Sequence, residues 1–366
     1  MKVAIVAGAR PNFMKVAPIC REARKRPGVT SLLVHTGQHY DHEMSGSFFK
    51  DLEIPEPDYY LEAGSGSHAV QTAKIMVRFE EVCEKERPDL VLVVGDVNST
   101  LACSIVAKKL LIKVGHVEAG LRSFDWAMPE EINRIVTDAI SDYLFVTEES
   151  GRENLLREGK PEEGVYLVGN VMIDNLIHQL RKLKSESIET SFHPAAGPYL
   201  FVTLHRPSNV DDAETFWRIS TALNILAEKT PIYFPVHPRT RKMIESFGIT
   251  FSPNVYLLPP LSFKEALHIW RGAEAVLTDS GGLQEETTAL GVPCVTMREN
   301  TERPITAEIG TNVIAGTSVE SILRSYEKSI KKATSAQVPP LWDGKASERI
   351  WDVLTGHETG CHAERD

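Results

Sequence analysis

Most of the short motifs that announce a mechanism are missing from this 366-residue chain. No GxGxxG follows the first apolar run, and the GSGS at residues 64 to 67 follows an acidic stretch rather than a strand, so a bound NAD is not expected. Neither a GxxxxGK[ST] phosphate loop nor a GxSxG nucleophile elbow occurs. The five cysteines, Cys20, Cys83, Cys103, Cys294 and Cys361, are odd in number and scattered without a CxxC pair. That argues against a disulfide framework or a zinc site and fits a reducing, cytoplasmic setting. The only dense histidine group, His35, His39 and His42, has no supporting acid or Cys at ligand spacing, so no metal is expected. Excess positive charge is missing too: the formal charge is −10, whereas a phosphate backbone is bound by clustered Lys and Arg, which excludes a broad nucleic-acid surface. No apolar stretch is long enough to span a bilayer, and the opening MKVAIVAGARPNF reads as a strand and turn rather than a signal peptide, so no membrane association is expected.

What is present is the composition of a globular enzyme. A hydrophobic fraction of 42% and a charged fraction of 25% are ordinary for soluble proteins, and the length suits two domains. Short apolar runs recur with amphipathic stretches between them: KVAIVAG, SLLVHTG, LVLVVGD, KVGHVEAG, YLFVTEE and VYLVGN, then YLFVTLH, IYFPVH, VYLLPP, AVLTDSGG and CVTMRE. Continuous Val, Leu and Ile runs mark strands buried on both faces, so the fold class is α/β with two doubly wound parallel sheets. The expected divisions are a first domain over 1–178, a polar linker over 179–198, a second domain over 199–345, and a terminal helix and tail over 346–366 that packs back on the first domain.

The strand ends carry the chemistry. In open parallel sheets ligands bind beyond the carboxyl ends of the strands. There the runs finish in Gly8 to Arg10, Gly95 and Asp96, Glu118, His205, His237 and Asp279 to Gly282. Ser280, Gly281 and Gly282 form a turn into a helix, whose free N–H groups suit a diphosphate; a plain capped turn is the alternative. Glu286, in that helix, is placed to clasp ribose hydroxyls or merely to complement the helix dipole. Arg10 and Lys15 suit a diphosphate as bidentate donor and point charge, or are simply surface cations. Asp96 and Glu118 end neighbouring strands about 4.8 Å apart, the arrangement that separates two carboxyls into proton donor and acceptor. Glu130 and Glu131 follow Pro129 at a helix start, and Arg134, one turn on, is expected to hold Glu130 and to join the substrate-binding set. His205 is an acid, base or charge-stabilising donor, or a structural histidine.

Taken in order, GARPN, HVEAGLRSFD, PEEINR, LHRPSNVD, TDSGGLQEE and NTERP resemble the non-hydrolysing UDP-N-acetylglucosamine 2-epimerases over nearly the whole chain. The resemblance implies a GT-B-like architecture of two Rossmann-like domains with a central cleft. It further implies a cytoplasmic homodimer acting on UDP-N-acetylglucosamine, UDP-N-acetylmannosamine and UDP without a cofactor, supplying precursors for cell-surface polysaccharides. The implied reaction eliminates UDP, passes through 2-acetamidoglucal and adds UDP back. The family's catalytic residues fall on Asp96, Glu118, Glu130 and His205, and its substrate contacts on Arg10, Lys15, Ser280, Gly281, Gly282, Glu286 and Arg303. This chain departs from the usual motifs at Ala9, Asn12 and Val97, at Ala266 where an aromatic side chain is common, and in the loop of Gln38, Tyr40 and Asp41. A glycosyltransferase or hydrolysing epimerase on the same scaffold, or a nucleotide-sugar sensor without activity, stays open at this point.

Overall fold

Runs such as Val3–Ala7 and Leu90–Val94 show no polar alternation because helices cover both faces of their sheet, and every residue in them is buried. A computed structural model describes residues 1–8, 10–37, 52–185, 194 and 196–356. They fall into two compact units, Met1–His178 with the described part of Pro340–Asp366, and Gln179–Pro339.

The first unit is built on β1 (Lys2–Ala7), β2 (Thr30–His35), β3 (Tyr59–Tyr60), β4 (Leu90–Val94), β5 (Lys113–Val117), β6 (Tyr143–Val146) and β7 (Val165–Leu167). They pair in parallel in the order β3-β2-β1-β4-β5-β6-β7. The second contains β8 (Leu200–Thr203), β9 (Ile232–Pro235), β10 (Val255–Leu258), β11 (Ala275–Thr278), β12 (Cys294–Thr296) and β13 (Asn312–Ile314). Their order, β10-β9-β8-β11-β12-β13, repeats the doubly wound plan. Each sheet reverses direction of growth beside its first strand, between β1 and β4 and between β8 and β11, and such switch points are where ligands enter doubly wound sheets. Of the strands, β3 and β13 correspond to no apolar run noted in the sequence. Both lie at an edge of their sheet, Tyr59–Tyr60 being polar at its hydroxyls and Asn312–Ile314 opening on a polar residue, so neither stands out as an apolar run.

Local signals place the helices. Ser262 and Glu265 close a reciprocal capping box at the start of Phe263–Trp270, and Asp212 caps Ala213–Ala227. No helix among the described residues is long and apolar enough to cross a membrane.

The chain re-enters the first unit at Pro340, upstream of residue 346. Trp342 is buried and donates to the Thr147 carbonyl at 3.1 Å. The last described helix, Ala346–Thr355, then packs on Arg10–Ala23: Trp351 Nε1 donates to the Ile19 carbonyl at 3.0 Å, and Arg26 pairs with Asp352 at 2.5 Å. Its first turn is capped from another helix, because buried Asp174 accepts from the amides of Ala346 at 3.0 Å and Ser347 at 2.6 Å. Asp174→Ala would leave both amides buried without an acceptor, and is expected to lower the unfolding free energy by about 1–3 kcal/mol. The urea midpoint of the first unit's transition measures this; an unchanged midpoint would mean that Trp351 and Arg26 hold the helix without the cap.

Candidate active site

In the first unit, β4 and β5 run in register, with Val94 opposite Val117, and both turn sharply at their ends. Gly95 has φ of +69° and Glu118 φ of +72°, the left-handed region. The space at the first position is also tight. A β-carbon on Gly95 would lie 3.3 Å from Lys15 Nζ and 3.4 Å from Asn12 Nδ2, which converge there from the helix Arg10–Ala23. Asn12 donates to the Val94 carbonyl at 2.9 Å, so this departure from the family's motif fastens the first helix to the end of β4. Lys15 Nζ meets Glu118 Oε2 at 2.5 Å, with both side chains largely buried. The lysine expected to face a diphosphate is thus paired with an acid here. The side chain of Arg10 lies outside the described residues, as do Ala9, Gln38, His39, Tyr40, Asp41 and His42.

Asp96 is fixed by the helix Pro129–Ile140. Arg134 Nη1 meets Asp96 Oδ2 at 2.5 Å, while its Nε and Nη2 donate to Glu131 Oε2 at 3.0 and 2.6 Å. Asn133 adds a bond to the Asp96 carbonyl at 2.8 Å. The expectation that Arg134 holds Glu130 is corrected: Glu131 and Arg134 are both buried on the inner face of the helix, one turn apart. Glu130 is half-buried and makes no hydrogen bond or ion pair among the described residues. Burial alone would raise the Glu131 carboxyl, but the amides of Ser123 and Phe124 and the guanidinium of Arg134 outweigh it and hold it below the ordinary carboxylate range. Arg134, buried and bonded on three nitrogens, therefore serves to place Asp96.

In the second unit, β8 and β11 are neighbours, with Thr203 opposite Thr278, so His205 and Asp279 lie side by side past the strand ends. His205 Nδ1 lies 2.9 Å from Asp279 Oδ1. The imidazole side chain is 53% exposed, whereas Asp279 is fully buried. With Nδ1 on the acid, Nε2 is the nitrogen left toward solvent. Asp279 also accepts from the amides of His205 and Arg206, at 3.0 and 2.9 Å. Burial would raise its carboxyl, but His205 and these amides hold it low. The sequence marked Asp279 only as the end of a strand; its role as the orienter of His205 appears when the two strands pair. His237 instead accepts from the Arg239 amide at the start of Pro238–Ser246.

Ser280 precedes the helix Gly281–Leu290 with extended backbone and makes no side-chain cap, so the first-turn amides are left for a ligand or solvent. A β-carbon on Gly281 would meet nothing within 4 Å, leaving the approach open. The NTERP loop is wired onto this helix. Thr301 Oγ1 donates to Gln284 Oε1 at 2.6 Å, Arg303 Nε lies 2.7 Å from Glu285 Oε1, and Arg298 grips Glu302 through two bonds of 2.9 Å. Burial opposes ionisation of Glu302, yet Arg298 and its neighbouring arginines hold the carboxyl down at about 2. Glu286 is the opposite case: it is buried beside Glu285 and makes no hydrogen bond or ion pair among the described residues. No group of three or more His, Cys, Asp or Glu side chains among the described residues is placed to hold a metal.

The family model described as UDP-N-acetylglucosamine 2-epimerase matches residues 21–355. The UDP-N-acetylglucosamine 2-epimerase of Methanocaldococcus jannaschii is 41% identical over 364 residues, covering 97% of this chain and 99% of the relative. The UDP-2,3-diacetamido-2,3-dideoxy-D-glucuronate 2-epimerase of Pseudomonas aeruginosa is 38% identical over 357 residues, covering 97% and 99%. The crystal structure of the Methanocaldococcus jannaschii UDP-GlcNAc 2-epimerase in complex with UDP-GlcNAc and UDP matches with a TM-score of 0.87 at 40% identity, covering 97% of this chain and all (100%) of that one.

Burial and the nearby Glu285 raise Glu286 from an ordinary 4.5 to about 8. The folded state therefore keeps a proton that the unfolded chain has released, so stability present below about pH 4.5 is lost as pH rises through about 8. Each pH unit in that window removes up to about 1.4 kcal/mol. Glu286→Gln keeps the shape and removes the titration, so its melting temperature is expected to gain on the wild type steadily as pH rises across the window. A constant difference at all pH values would show that Glu286 does not titrate there.

Proposed function

Because this chain belongs to the UDP-N-acetylglucosamine 2-epimerase family, we propose that it inverts carbon 2 of UDP-N-acetylglucosamine reversibly, giving UDP-N-acetylmannosamine. The observation that carries the reading furthest is the pair of carboxylates at adjacent strand ends, Asp96 fixed by Arg134 and Glu118 against Lys15, within a chain that is alike to an epimerase from end to end. The carbon 2 hydrogen is not acidic in the ground state. In this mechanism the bond from carbon 1 to the diphosphate oxygen breaks first, with its electron pair leaving on UDP. Loss of the carbon 2 proton to a carboxylate then forms the double bond of 2-acetamidoglucal. Protonation on the other face and return of UDP to carbon 1 complete the epimerisation.

Asp96, Glu118 and Glu130 exchange the proton, a role for which general acid–base groups contribute about 10²–10⁴-fold each. Arg10, Lys15, His205 and the amides of the Ser280, Gly281 and Gly282 turn receive the departing diphosphate, the electrostatic contribution that is usually largest. The bond to Asp279 keeps His205 Nε2 outward for this purpose. Glu286 takes the ribose hydroxyls, which supply the donors it lacks among the protein's own described residues. Arg303 serves through Glu285, and Arg134 through Asp96. Within this proposal the enzyme is a cytoplasmic homodimer that supplies precursors for cell-surface polysaccharides, as the family resemblance implies.

The Pseudomonas relative, whose name places an acetamido group at carbon 3 and a carboxylate at carbon 6 of its sugar, supports a competing substrate. Both nucleotide sugars therefore belong in one assay. Turnover of UDP-N-acetylglucosamine in heavy water is expected to place deuterium at carbon 2 of both UDP-sugars without added NAD, followed by proton NMR. Retention of the original hydrogen would sink the mechanism, and exchange only in the diacetamido glucuronate would move the substrate. His205→Asn is expected to lower kcat by about 10²-fold or more with much less change in KM, since the ground-state diphosphate keeps its other donors. A folded variant with normal turnover would return His205 to a structural role.

A further inference from the structure

The turns that present Asp96 and Glu118 are held from behind by one buried carboxylate. His116 in β5 and Asp138 in the helix Pro129–Ile140 are both fully buried. His116 Nε2 lies 2.8 Å from the carbonyl of Gly95, the residue immediately before Asp96. Its Nδ1 lies 2.6 Å from Asp138 Oδ1. A carbonyl only accepts, so Nε2 must carry the proton in this contact. The other oxygen of Asp138 accepts from the amide of Gly120, two residues past Glu118, at 3.1 Å. It also lies 2.8 Å from Arg122 Nη1, and Arg122 is gripped in turn by Glu158 through bonds of 2.8 and 2.7 Å. Gly120, with φ of +79°, tolerates no β-carbon, which would fall 2.2 Å from the Gly151 carbonyl, so the Asp138 bond reaches a turn that also rests on Phe145 through the amides of Glu118 and Ala119.

Resting on the epimerase reading above, we infer that His116 and Asp138 are positioning residues for the reaction. Asp138 reaches the Gly95 turn through His116 and the Gly120 turn directly, and so sets the spacing between the Asp96 and Glu118 carboxylates. Neither touches substrate. Burial opposes ionisation of Asp138, yet His116 and Arg122 hold its carboxyl below the ordinary range, so the anchor is an anion. Proton transfer is sensitive to donor–acceptor distance, and a misplacement of about 1 Å costs about 10²-fold in rate.

Two substitutions separate this role from mere packing. In His116→Gln the amide nitrogen falls near the former Nε2 and still supports the Gly95 carbonyl, whereas in His116→Asn it falls near the former Nδ1 and serves only Asp138. With wild-type epimerisation of UDP-N-acetylglucosamine as reference and thermal melts to verify folding, His116→Asn is expected to lower kcat by about 10–100-fold with KM within about threefold. His116→Gln is expected to recover at least about fivefold of that loss. Equal losses in both variants, a loss confined to KM, or wild-type turnover in both would overturn the inference. Should His116→Asn fail to fold, nitrogen-15 NMR of histidine-labelled wild type decides: a protonated Nε2 on His116 supports the contact and an unprotonated Nε2 overturns it. A wild type that exchanges no carbon 2 proton would sink the epimerase reading, and the ring-nitrogen measurement would still judge the contact.

Discussion

A charge removed from water near the strand ends must meet an opposite charge or several donors, and this requirement shapes the first unit more than any other. One face of a single helix, Pro129–Ile140, meets most of it. Glu131, Arg134 and Asp138 recur at helical spacing along that face and are all buried. Glu131 holds the loop amides of Ser123 and Phe124, Arg134 holds Asp96, and Asp138 holds the turns after β4 and β5. Removing one member of such a buried set strands the other, which typically costs about 3–5 kcal/mol, far more than the pair contributes net. The set therefore acts chiefly to exclude alternative positions of the acids.

The second unit meets the same requirement at the end of β8 with backbone amides as well as charge. Asp279 is compensated by two backbone amides and His205, and the loop of Thr301 to Arg303 is tied to the helix Gly281–Leu290 by single contacts to Gln284 and Glu285. What remains are groups whose bonding the protein does not complete among its described residues: the first-turn amides after Ser280, the outer nitrogen of His205 and the carboxyl of Glu286. The amides are donors and the carboxyl an acceptor, while the outer nitrogen of His205 donates when the imidazole is protonated, the set that a diphosphate and a ribose diol would satisfy under the proposed function.

Both sheets were legible from the apolar runs, because strands buried on two faces leave an uninterrupted Val, Leu and Ile record. The edge strands Tyr59–Tyr60 and Asn312–Ile314 were not, since polar groups break up the short stretch that each offers to a hydropathy reading. Asp96, Glu118 and His205 were legible as strand-end residues. Their partners were harder: Arg134 lies near Glu130 in sequence, and only the direction of the helix face decides that it bonds Glu131 and Asp96 instead. Asp279 and Asp138 were out of reach for a different reason. Each acts on residues 74 and 22 positions away respectively, and nothing local distinguishes a buried orienting acid from one that ends a strand or lines a helix. Asn12 read as a departure, yet its bond to Val94 gives it a structural purpose that only the geometry displays.

Arg134 also links two parts of the site that could otherwise move apart. Its planar fork meets Asp96 on one side and Glu131 on the other, a geometry that a lysine point charge cannot reproduce. Glu131 in turn fixes Ser123 and Phe124, at the start of a loop whose Phe124 and Trp126 are each 70% exposed. Exposed aromatic rings give a loop large surface for contact, while its base is anchored to a buried carboxylate. The base of that loop and the carboxylate of Asp96 are thus bonded to the same guanidinium–carboxylate pair. Under the proposed reaction, the guanidinium that places one proton-exchanging acid is therefore also the counter-charge of the carboxylate that anchors that loop.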